Sequence, residues 1–161
     1  MIDPQMMADQ YAFSLRNLHL QTNGLTHADS LIQLPFRGNC MNWTLGHLLL
    51  CREELFDILS APRVFPPDTF ARYDSGTAPI IDDSPEIIRL ERMLEMLDQQ
   101  APHLTALIAN TTEEKYADTV QVGKNTRKIA QRVLFYFFHE ANHVGELSIL
   151  RQLAGKDDQI I

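Results

Sequence analysis

Residues 139–143 read HEANH, an H-E-x-x-H string within the longer run YFFHEANHVGEL. On a helix, His139 and His143 project from one face about one turn apart, the geometry with which two imidazoles grip one metal ion. The same string is the zinc-metalloprotease signature, with the glutamate as general base. A catalytic zinc site needs a third protein ligand and an open position, and a protease of this kind takes that ligand from further along the chain. Here 18 residues follow His143, with no histidine and with no glutamate after Glu146. Asp157 and Asp158 come too soon after a helix end to serve. No sheet is expected that would hold a peptide substrate by its edge. The protease reading is therefore disfavoured, and the third ligand must lie upstream.

His47 is the strongest upstream candidate. It belongs to a stripe of Thr44, His47, Leu48, Cys51, Leu55 and Ile58, spaced by three and four residues, which should face a core. An unpaired imidazole there is costly, so it needs a partner. His19, His27 and His103 have no such company: His19 lies on a first helix, His27 in a loop, and His103 beside Pro102. Cys51, one turn after His47, makes a soft metal pair with it or acts as a small buried hydrophobe, and Cys40 has the same bland reading. Glu140 lies about 100° around the helix from His139. It is a candidate base toward a metal-bound water, an acceptor for an imidazole N–H, or a solvated side chain.

The elements that must position these residues are helical. Residues 3–22 form a first helix with Met7, Tyr11, Leu15 and Leu18 on one stripe, stopped by Asn23-Gly24. A second starts near Asn42, a good N-cap. Residues 61–83 hold four prolines and no clear period, a long crossover. Its Phe65, Phe70 and Tyr73 either line a pocket mouth or cover the helices. Ser84-Pro85-Glu86 reads as the start of a third helix, followed by a leucine seam with a kink at Pro102. The last helix is expected from a Thr126 cap to about Leu153, closed by Gly155 and apolar round most of its circumference, hence mostly buried, with part of it suited to a homodimer interface. The fold expected is all-α: one domain over residues 1–161, a four-helix bundle with a long crossover between helices two and three.

A net charge of −7 with scattered basic residues argues against nucleic acid as partner. No apolar run reaches membrane-spanning length, and the first ten residues lack the pattern of a secretory signal. A cytoplasmic location with Cys40 and Cys51 reduced is expected.

Together, W-T-L-G-H-L at 43–48, H-x-x-x-H-x-G-E-L at 139–147 leading into LRQLAG, and the earlier G-L-T at 24–26 resemble the DinB/YfiT-like superfamily of metalloenzymes. The resemblance implies a four-helix bundle with three histidine ligands, falling here on His47, His139 and His143. Many members carry Arg and Gln where this chain has Val144 and Glu146. The resemblance further implies a thiol-dependent transferase or isomerase using a low-molecular-weight thiol and a small-molecule substrate. Three imidazoles suit zinc, nickel or iron and leave the ion's charge unneutralised, which favours deprotonating a bound water or thiol. The alternatives are a non-catalytic bundle whose metal is structural or vestigial, and an H-E-x-x-H hydrolase using Glu140.

Overall fold

The computed structural model describes residues 3–158 and 160 and is mostly helical. Helix α1 (Pro4–Thr22) starts where the Asp3 carboxylate accepts from the backbone N–H groups of Gln5 and Met6, with proline at its first position. It ends at Asn23, and Gly24 turns the chain with φ +72°. A single turn, α2 (His27–Ser30), is held by a Thr26–Asp29 capping box. Helix α3 (Met41–Ile58) is buried over its whole first half and into its second, from Met41 to Glu53.

Between α3 and the next long helix, Pro67–Tyr73 forms a 3₁₀ segment that sinks Phe70 and Tyr73 into the core. Gly46 makes this approach feasible, because a Cβ there would overlap the Tyr73 ring. Helix α4 runs from Leu90 to Ala109 and carries Pro102 within it. It begins five residues later than Ser84-Pro85-Glu86 suggests. Those residues form a turn instead, with Ile87 N–H donating to the Ser84 carbonyl. Tertiary bonds then hold the next residue outside the helix: Ile88 N–H donates to the Tyr73 hydroxyl, and its carbonyl accepts from Asn42. The first free N–H, that of Leu90, donates to Nδ1 of the buried His27 at 3.1 Å.

After α5 (Glu113–Ala117) the chain makes a hairpin, β1 (Thr119–Val122) against β2 (Asn125–Lys128), antiparallel with Thr119 opposite Lys128. Thr126 thus lies in a strand, bonded to Gln121, rather than capping the last helix. Helix α6 (Ile129–Leu153) starts three residues later, where Gln131 accepts from Lys128 N–H. Its circumference is less buried than its composition implies: Leu134, Phe135, Phe138 and Ile149 stay exposed.

Helix α1 packs against α4 and α6, and α3 packs against the same two helices. One core cluster gathers Leu45, Leu48, Leu49, Tyr73, Leu97 and Leu147; a second gathers Tyr11, Leu55, Leu104, Val133 and Tyr136. Helices α3 and α6, which carry the candidate ligands, are therefore direct neighbours. Among the described residues no helix is long and apolar enough to cross a membrane.

Candidate metal centre

His47 is 5% exposed and has both ring nitrogens assigned. Its Nδ1 lies 2.9 Å from the Tyr73 carbonyl, which can only accept, so the proton sits on Nδ1 and the lone pair on Nε2. That lone pair points to Nε2 of His139, 3.0 Å away, and the Cys51 sulfur is 3.6 Å from His47 Nε2. The donor atoms of His47, Cys51 and His139 all lie within 4.8 Å of one another. Two imidazoles and a thiol converging in this way suit a divalent transition metal.

Neighbours fix the rings. Trp43 stacks on His47 at 4.7 Å between centroids and is itself tied to Thr77 through its indole N–H. Phe135 stacks on His139 at 6.0 Å and an interplanar angle of 14°. Phe135 also borders an apolar hollow of about 520 Å³, lined further by Leu134, Phe137 and Phe138.

His143 stands edge-on to His139, with ring centroids 4.5 Å apart, and 5.4 Å from His47. Its Nδ1 is 2.7 Å from the Glu146 carboxylate, which leaves Nε2 free. Glu146 is thus the acceptor that orients a histidine, an arrangement typical of metal-site imidazoles. The i, i+3 spacing of His143 and Glu146 on one helix was the sequence signal for it. Trp43, four residues before His47 on α3, had the same kind of signal, and the Tyr73 carbonyl had none.

Burial lowers the pKa of His139 to about 4, helped by the neighbouring His143 and His47. Burial lowers His47 as well, against an opposing contribution from its bond to Tyr73. Both rings are therefore neutral near pH 7. Burial, followed by the charge of Glu54, raises the Cys51 thiol well above its ordinary value. It is a protonated thiol unless a cation joins it.

Glu140 meets different partners. It is 3% exposed; Arg52 donates to both its oxygens, Nε to Oε2 at 2.9 Å and Nη2 to Oε1 at 2.6 Å, and Ser14 donates a third bond. The candidate base is a carboxylate already bonded at both oxygens by a buried guanidinium. Of the other histidines, His19 pairs with Asp98, His27 caps α4, and His103 is exposed. Cys40 is buried just before α3, away from the cluster named above.

A family model described as the DinB superfamily matches residues 10–147, a span that takes in His47, Cys51, His139 and His143. No curated protein matches the chain.

Proposed function

The chain belongs to the DinB superfamily, and on that premise we propose that it is a cytoplasmic metal-dependent enzyme, a thiol-dependent S-transferase acting on a small molecule. In this reading the whole chain is one domain, and its four long helices form a bundle with the crossover over residues 59–89 between the second and third. His47, His139 and His143 hold the ion, zinc, nickel or iron, and Cys51 stands beside it. A divalent ion bound there supplies Lewis acidity, stabilising the deprotonated form of a coordinated thiol.

The chain's own residues do the rest. The Tyr73 carbonyl and the Glu146 carboxylate keep the Nδ1 protons of His47 and His143, so that Nε2 of each is the donor atom. Trp43 and Phe135 stack on His47 and His139 from outside the cluster. Arg52 and Glu140 join the two ligand-bearing helices one residue beyond Cys51 and His139, so the separation of the ligands is set by an ion pair. The observation that carries the reading is the 3.0 Å approach of two Nε2 atoms, one of which has its partner nitrogen already committed to a carbonyl.

The proximity of Cys51 supports a second reading. A side chain that completes the ion's coordination closes the open position, as in structural zinc sites. The protein would then be a non-catalytic bundle stapled between α3 and α6. Elemental analysis of untagged protein beside His47→Ala and His139→Ala tests the shared premise: about one transition metal per chain is expected, lost in both variants. Unchanged metal content in the variants would sink it. Cobalt-substituted protein separates the two readings, since a sulfur-to-cobalt charge-transfer band lost in Cys51→Ala favours the closed site.

A further inference from the structure

The outer surface of the α1–α6 pair carries apolar side chains that the core does not use. On α1, Met6, Phe13 and Leu20 are exposed and fall at seven-residue steps, nearly in one line. Around the helix that line lies beside Ser14 and Gln21, which meet α6, and away from His19, which reaches α4. On α6, Leu134, Phe138 and Ile149 are exposed on the flank next to α1, turned away from His139 and His143. The two helices run parallel: the Tyr11 hydroxyl donates to the Val133 carbonyl, Ser14 to Glu140, and Arg151 to the Gln21 carbonyl. The two lines of apolar residues therefore form one surface. These six side chains, 48–69% exposed, present on the order of 600 Å², most of the roughly 800 Å² that a stable interface buries on each partner.

The order of residues on this surface has a symmetry that a second copy can use. Leu134 and Ile149 lie equally far on either side of the Ala141–Asn142 peptide, as do Phe138 and Gly145, and Gln131 and Gln152. On α1, Met6 and Leu20 lie equally far from Phe13. Because Ser14 bonds to Glu140, these two centres are within about one helical turn of each other along the pair. One two-fold axis crossing both helices thus serves both patterns, as a self-complementary interface requires. It sets Phe13 against Phe13, Met6 against Leu20 and Leu134 against Ile149. It also sets the Phe138 ring, 69% exposed, over Gly145. Nothing lies within 4 Å of where a Cβ on Gly145 would stand, so no contact inside the chain requires a glycine that weakens the helix.

Charge follows the same axis. Asp9 and Arg16 border the α1 line, four residues before Phe13 and three after it, and the Arg16 guanidinium lies 5.2 Å from the centre of the Phe13 ring. Neither forms an ion pair among the described residues. A copy turned about Phe13 brings its Arg16 to Asp9 and its Asp9 to Arg16. We propose that the α1–α6 surface binds a second copy of this chain, with α1 antiparallel to the partner's α1 and α6 antiparallel to the partner's α6. The apolar hollow beside Phe138, lined also by Leu134, Phe137 and Ala141, then receives the partner's Ile149. Antiparallel pairing also opposes the helix dipoles, which add within one chain. The metal cluster faces α3 and stays outside the interface, so the assembly does not depend on the metal reading.

The test is the mass of the full chain by sedimentation equilibrium over a dilution series. Twice the 18.4 kDa of one chain is expected. Phe138→Glu should raise the dissociation constant ~30-fold or more, the size of losing one aromatic anchor, with the circular dichroism of the helices unchanged. Gly145→Leu, which fills open space in the single chain, should weaken the dimer as well. Cysteine cross-linking reads the axis: Phe13→Cys should link to itself on mild oxidation. Met6→Cys and Leu20→Cys should each fail to do so alone, and the chain carrying both should link. Cys40 and Cys51 are buried and do not compete. A monomer at every concentration overturns the proposal, and the wild-type measurement needs no variant. A dimer that Phe138→Glu and Gly145→Leu leave intact uses another face and overturns it too. A dimer in which Phe13→Cys does not self-link overturns the antiparallel axis.

Discussion

Two charge arrangements bridge α3 and α6, and they differ in what they leave unused. Arg52 and Glu140 are 1% and 3% exposed and meet directly through two hydrogen bonds, with Ser14 of α1 adding a third. Glu54 and Arg132 have the reverse polarity across the same two helices and never touch, because the Tyr136 hydroxyl stands between them. A buried pair has to be saturated, since an unpaired charge in the core is very costly. A half-buried pair can stay open, because water completes its hydrogen bonds. The saturated arrangement therefore holds the helices in register, and the open one leaves the Arg132 Nε without a partner.

The largest effect expected from breaking this contrast is at Glu140. Glu140→Ala leaves Arg52 buried without its partner and should destabilise the fold by about 3–5 kcal/mol, read from urea unfolding. The double variant Arg52→Met with Glu140→Leu should recover most of that loss; if it does not, the pair is more than a clamp. Gly46→Ala comes next. Its new methyl group meets the Tyr73 ring, and overpacking of this kind costs about 1–3 kcal/mol. Because the Tyr73 carbonyl also orients His47, metal affinity should fall with stability, and full affinity in a destabilised variant would contradict that link.

A pH series on metal-free protein probes the ligand side. The folded-state pKa of His139 is lowered to about 4, below the ordinary value of about 6.5 in an unfolded chain. As pH falls through 6.5 the unfolded state takes up a proton that the folded state refuses, so stability drops. The loss continues to about pH 4, where the folded ring protonates too. His139→Gln should flatten the fall in urea midpoint between pH 7 and 5; an unchanged slope would mean that other groups dominate. The smallest effect is expected at Arg132. With no ion pair to lose, Arg132→Gln should change stability by less than about 1 kcal/mol. A loss on the scale of Glu140→Ala would show that the two bridges are alike after all.

Local chemistry made much of this legible. The stripe through His47 and Cys51, the i, i+4 spacing of His139 and His143, and the Asn23-Gly24 stop each depend on residues within a few positions of one another. The misplaced helix starts share another cause. Ser84-Pro85-Glu86 is a sound local start, but Tyr73 and Asn42 hold the Ile88 backbone outside the helix. Thr126 is a good cap by type, yet a strand partner at Gln121 takes it. The exposed side of α6 was unreadable from an almost uniformly apolar sequence, because a periodicity argument needs polar residues to mark the outside.

By itself the sequence determined the helical class, the two helices that carry the candidate ligands, and the candidate histidines on them, since these follow from short-range spacing. Only the tertiary structure decided which nitrogen of His47 faces the cluster, that Cys51 joins it, and that Glu140 turns to Arg52 while Arg132 and Glu54 stay apart. Those outcomes depend on which side chains from distant segments arrive at 3 Å, and hydrogen-bond saturation at that range is not encoded in any local pattern.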